Sequence, residues 1–169
     1  MRSGLRREPE TKGKPMSTPS QKLTAPNLTQ GPPRSPRVRL GGYAMLPRIL
    51  DKARASLAGQ AGDYKFGNPM DRQFFAFTGI AQEALLEQVK SGASDWDILL
   101  WVNAQANPRR LPHEIRSWSA WLETMPIGDA EDIEWFAAQV KRLNPARTDL
   151  HTIMDYLDAD DHASFGGQA

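Results

Sequence analysis

Asn68-Pro69-Met70-Asp71-Arg72-Gln73-Phe74-Phe75-Ala76-Phe77-Thr78-Gly79 is the stretch on which the fold turns. It reads as one whole helix with both ends marked. Asn suits the N-cap, and Pro suits the first helical position, where no N–H is needed. Asp71 falls at the third position, near the positive end of the helix dipole. Met70, Phe74 and Phe77 recur at helical spacing, and Gly79 stops the run.

The same punctuation recurs on both sides. Upstream, Pro47 opens a helix with Leu46, Ile49, Leu50, Ala53 and Leu57 on one stripe, closed near Gly59, while Arg48, Asp51, Lys52 and Arg54 lie off that stripe. Downstream, about residues 81–91 carry Ile80, Ala84, Leu85 and Val89 and end at Gly92. Ser94 with Asp97 resembles a capping box for a helix burying Ile98, Trp101 and Val102, broken at Asn107-Pro108. Pro112 opens the next, with Ile115, Trp118, Leu122 and Met125, stopped by Pro126. Asp129 caps a sixth, carrying Ile133, Phe136, Ala137 and Val140 up to Asn144-Pro145. Thr148 or Asp149 caps the last, with Leu150, Ile153, Met154 and Leu157. Alternating β-branched runs are missing, and connections of 2–8 residues suit a helical array. The expected fold is all-α, a compact array of about seven short helices.

Charge and proline divide the chain. Residues 1–54 carry twelve Lys+Arg against three Asp+Glu, a balance of +9, and residues 55–169 carry nine against seventeen, a balance of −8. The formal net charge of +1 conceals this division. Seven of the thirteen prolines stand at positions 9, 15, 19, 26, 32, 33 and 36, among few large apolar residues. Such a segment cannot bury enough apolar surface to offset an ordering entropy of roughly 1–2 kcal/mol per residue. The expected organisation is a disordered basic arm over 1–33, one helical domain over 34–158 and a flexible acidic tail over 159–169. Met16 is an alternative start. The arginines are not followed by the apolar core of a secretory signal. No apolar run approaches the roughly 20 residues of a membrane span, and a cytoplasmic location is expected.

The absent residues exclude much chemistry. The chain has no cysteine, hence no disulfide, thiolate metal site or Cys nucleophile. Gly41-Gly42 matches no phosphate-loop spacing and reads as a tight turn joining the arm to the body. His113-Glu114 begins H-E-x-x-H, but position 117 is Ser. His151 and Asp155, taken as i,i+4 on a helix, are two ligands where zinc needs three or four, and read as a surface pair. Asp155, Asp158, Asp160 and Asp161 fail the calcium-loop pattern, with Ala163 and Ala169 at its Gly and Glu positions. Neither a metal nor a cofactor is expected.

Three functional readings remain. In the first, a non-catalytic binding or regulatory module uses a pocket near Tyr43, Arg48, Lys52, Asp71 and Arg72 for a protein or a small anionic ligand. In the second, a small enzyme uses Asp71 or His151 as acid–base residue, with Arg48 or Arg72 holding an anion. Asp71, however, already has a capping explanation. In the third, Arg34, Arg37 and Arg39 bind nucleic-acid phosphates; an arm lying along its own acidic body is favoured over that. Of the five tryptophans, Trp101, Trp118 and Trp135 fall on apolar faces, while Trp96 and Trp121 sit off them, as pocket or partner residues would.

The run Ser35-Pro36-Arg37-Val38-Arg39-Leu40-Gly41-Gly42-Tyr43, with Leu46-Pro47-Arg48, Asp51-Lys52-Ala53-Arg54 and Leu57-Ala58-Gly59, resembles a bacterial family known as domain of unknown function 5069. Pro69-Met70-Asp71, Phe74, Phe77-Thr78-Gly79-Ile80, Arg147-Thr148-Asp149 and Leu157-Asp158 continue the resemblance, which spans about residues 24–161. The family often reads Asn-Cys-Pro-Leu-Asp where this chain has Gly67-Asn68-Pro69-Met70-Asp71, which removes a thiol role here. The resemblance implies a small soluble protein whose domain includes the basic segment from Ser35. It implies no activity or ligand.

Overall fold

A computed structural model describes residues 24–167. It contains α1 (Leu46–Leu57), α2 (Pro69–Thr78), α3 (Gln82–Lys90), α4 (Asp95–Gln105), α5 (Pro112–Glu123), α6 (Ala130–Leu143) and α7 (Ile153–Ser164). The fold is all-α. Among the described residues the β content is one isolated antiparallel bridge, Leu40 to Tyr43, closing the Gly41-Gly42 turn. No helix among them is long and apolar enough to cross a membrane.

The capping chemistry acts as expected. The Asn68 side chain accepts the Asp71 N–H at 3.0 Å, and Gly79 adopts φ 69° at the other end of α2. There a Cβ would collide with the Asn107 carbonyl oxygen, so position 79 needs glycine twice over. Ser94 and Asp97 form the reciprocal capping box of α4. The Leu111 N–H donates to Glu114 at 2.7 Å at the start of α5.

The main core surrounds α1, where Ile49, Leu50 and Ala53 meet Phe74, Leu85, Val89, Ile98, Val102, Ile115, Leu122 and Met154. Phe77 stacks on Trp118 with centroids 4.6 Å apart, under the Arg110 guanidinium. A smaller core of Phe136, Leu150, Tyr156 and Ala159 joins α6 to α7. Met154 belongs to the first core and Tyr156 to the second, so α7 ties the two together.

Four sequence expectations change. The disordered arm over 1–33 is corrected for residues 24–33: Leu28 is buried, and its N–H donates to the Gln60 carbonyl at 2.9 Å. The rest of that expectation, with Met16, lies outside the described residues. The last helix starts later, at a Thr152–Asp155 capping box, and runs past 158 to Ser164. Residues 159–164 of the expected flexible tail are therefore helical, and Ala159 and Asp161 are buried. Of the inward set expected on α6, only Phe136 is buried, because α6 packs chiefly on one helix, α7. Ile133 is 54% exposed and Trp135 is 49% exposed. The charged residues off the apolar stripe of α1 are themselves enclosed. Arg48, Asp51 and Lys52 are buried, since the segment before α1 and the far helices bring a partner to each.

Candidate functional site

The charged residues of α1 organise the site. Arg48, 3% exposed, grips Asp161 of α7 with both terminal nitrogens, at 2.6 and 3.1 Å. The Tyr64 hydroxyl donates to the same carboxylate at 2.8 Å, and its ring faces the Arg48 guanidinium. Burial, then the hydrogen bond to Asp161, pushes the Tyr64 hydroxyl far above its ordinary pKa. One turn on, Lys52 donates to Asp71 at 2.6 Å, with the two side chains 1% and 0% exposed. The other Asp71 oxygen accepts the Gly67 N–H at 2.8 Å. Desolvation pulls the Lys52 ammonium below its ordinary pKa, and the Asp71 carboxylate opposes that pull. Among the described residues no buried side-chain nitrogen or oxygen lacks a partner.

The residues singled out in the sequence are thus partly gathered, but beneath the surface. Arg48, Lys52 and Asp71 share one buried cluster, and Arg48 alone borders a cleft. Tyr43 is fully enclosed, with its ring edge-on to Phe74 and its hydroxyl 3.3 Å from Asn103. Tyr43, Lys52 and Asp71 are each sealed by packing and present almost no surface to a ligand. Arg72 is exposed, and its Nε donates to the Gly67 carbonyl. His151 stands on the exposed turn before α7, where its backbone N–H, not its ring, meets Asp155 at 2.9 Å. The expected i,i+4 helix pair is corrected accordingly. Among the described residues no group of three or more His, Asp or Glu is placed to hold a metal ion.

The three arm arginines all lie on acidic groups of the body. Arg34 bridges Asp51 and Asp95 at 2.7 and 2.6 Å. Arg37 reaches Asp155 and Asp158, and Arg39 holds Glu123 at 2.8 Å.

Two adjoining clefts flank the start of α2. The first, about 630 Å³, is polar and has the Arg48–Asp161–Tyr64 group in its wall. The second, about 740 Å³, lies between the first turn of α2, the α5–α6 linker and helices α6 and α7. Met70, Met125, Ile127, Trp135, Ile153 and Tyr156 make its walls mainly apolar; Asn68, Gln73 and Asp132 add polar groups. Asn68 and Leu157 border both clefts. Trp135, expected on a core face, instead lines the second cleft, edge-on to Tyr156 with centroids 5.9 Å apart. Its signal was present in the sequence: α6 carries more large apolar residues than one narrow buried stripe can use.

The buried pairs position this second cleft. Asp71 ties Lys52 to the Gly67 amide and caps onto Asn68, fixing the chain that forms one lip. Arg48 and Arg37 hold α7, which supplies the opposite wall.

No curated protein matches the chain. A family model described as a domain of unknown function, DUF5069, matches residues 30–163, from the segment that covers α1 to the end of α7. The match takes in both cores, the buried ion pairs of α1 and the whole of the second cleft, and the chain belongs to the DUF5069 family.

Proposed function

We propose that this protein is a non-catalytic binding module that seats a small, largely apolar molecule in the cleft between α2, α6 and α7. The cleft itself carries the reading. Ligand pockets span roughly 300–1,000 Å³, with mostly apolar and aromatic walls and a few oriented polar groups. A cleft of about 740 Å³ walled by Met, Ile, Trp and Tyr, with two amides and one carboxylate, fits that description. Methionines at 70 and 125 supply adaptable contact, and Trp135 supplies a flat surface. Lys52, Asp71, Arg48 and Asp161 are positioning residues that hold its walls. A cytoplasmic location belongs to the same proposal.

The catalytic reading has less support. Asp71 has no exposed surface and both its oxygens are engaged, so it meets no substrate unless α2 moves. The nucleic-acid reading has Arg34, Arg37 and Arg39 already committed to carboxylates. A small anionic ligand would meet Arg48 and Lys52 neutralised by Asp161 and Asp71.

The test is a titration of the full chain with 1-octanol, followed by tryptophan emission. Binding shifts the emission and the amide resonances around the cleft, and the emission shift is lost in Trp135→Phe while the urea midpoint stays in place. An unchanged spectrum, with unchanged amide shifts around the cleft, would refute the reading.

A further inference from the structure

We infer that the ligand of this cleft is an amphipathic cation: an apolar body carrying one ammonium-type head, directed at Asp132. The inference rests on the binding reading above and adds the chemical class of the ligand.

Asp132 is the one charged side chain among the cleft-lining residues; no Lys, Arg or His stands there. Its backbone N–H is taken by the Asp129 cap, and its carboxylate is exposed and meets no hydrogen-bond donor or cation among the described residues. Gly128 leaves room for it: a Cβ at 128 would strike the Asp132 Oδ2. The positive end of the α6 dipole, worth about half a charge, opposes a cation here. Asp129, Glu131 and Asp132 all lie at that end and outweigh it. The Arg142 guanidinium is engaged with Tyr156 and Asp160, donating to the Tyr156 hydroxyl at 3.2 Å and lying 3.7 Å from the Asp160 carboxylate. An ammonium head at Asp132 leaves its apolar body over Trp135, Ile127 and Met125. A carboxylate head in the same pose meets a like charge.

The experiment compares octylammonium, octanoate and 1-octanol at constant ionic strength, read by tryptophan emission with Trp135→Phe locating the signal. Octylammonium should bind about fivefold more tightly than octanoate, the preference of one partly exposed charge pair. Asp132→Asn should bring the ratio to near one without changing octanol binding, and Asp132→Glu should keep the preference. If the two ions bind equally while octanol binds, the charge assignment is overturned and the cleft reading stands. Persistence of the ratio in Asp132→Asn overturns it equally. If octanol does not bind either, both fall together.

Discussion

Removing either partner of the Lys52–Asp71 pair should destabilise the protein, and the loss on removing Asp71 should depend on pH. Lys52→Met leaves the Asp71 carboxylate buried with only the Gly67 N–H. Asp71→Asn retains an acceptor for Gly67 but leaves the Lys52 ammonium buried without its counter-ion. Breaking a pair this deeply buried costs about 3–5 kcal/mol. The orphaned group can also escape by changing its protonation, and that sets a ceiling. From an ordinary value of 10.5, neutralising Lys52 costs about 5 kcal/mol at pH 7 and about 2 kcal/mol at pH 9. Asp71→Asn should therefore be rescued toward alkaline pH, relative to the native chain at the same pH. The double variant Lys52→Met/Asp71→Asn should recover most of the loss. Urea unfolding at pH 5, 7 and 9 measures all three. An Asp71→Asn cost that does not fall between pH 7 and pH 9, or a single-variant cost below about 1 kcal/mol at pH 7, would refute the reasoning.

Further outcomes follow from other contacts. Arg48→Met should cost about 3–5 kcal/mol, by leaving Asp161 without its cation, and should speed hydrogen exchange across α7. Acid should loosen the molecule through Asp95 and Asp155. Burial pushes both carboxyls up, but hydrogen bonds from Arg34 and Arg54 to Asp95, and from His151, Thr152 and Arg37 to Asp155, hold both below the usual range. Their stabilisation is complete above about pH 4 and fades as pH falls through the depressed values, so Asp155→Asn should flatten the acid limb of a urea-midpoint profile. Gly79→Ala should lower stability by at least about 2 kcal/mol, and Gly59→Ala by about 1 kcal/mol. Both positions have a left-handed φ, but only the first Cβ strikes backbone; equal melting shifts would contradict this.

Helix number and most boundaries were legible because they rest on local chemistry. Asn68-Pro69, Ser94 with Asp97 and Gly79 satisfy backbone groups within a few residues of themselves. The burial of Arg48 and Lys52 was not legible, because periodicity assigns a charged residue to solvent unless its partner is known. Asp161 and Asp71 lie 113 and 19 residues away. Thr152 out-competed Thr148 and Asp149 as the last cap because Asp155 returns the hydrogen bond three residues on. The site itself was half legible. Arg48, Lys52 and Asp71 do cluster, but as scaffold, and the open surface beside them comes from Met70, Ile127 and Trp135 on three different elements. Apolar stripes cannot say in advance which of their members a short helix leaves uncovered.

The ion pairs of α1 also impose an order on biosynthesis. Lys52, Arg54 and Arg48 meet partners 19, 41 and 113 residues later in the chain. At roughly 5–20 residues per second, the ribosome supplies Asp71 within a few seconds of Lys52, then Asp95, and Asp161 only after about 6–20 s. Until then α1 carries a cation that its own core cannot enclose without large desolvation cost. The nascent chain therefore acquires its central helix in stages, and α7, which carries Asp161, is the piece whose arrival lets that helix be sealed.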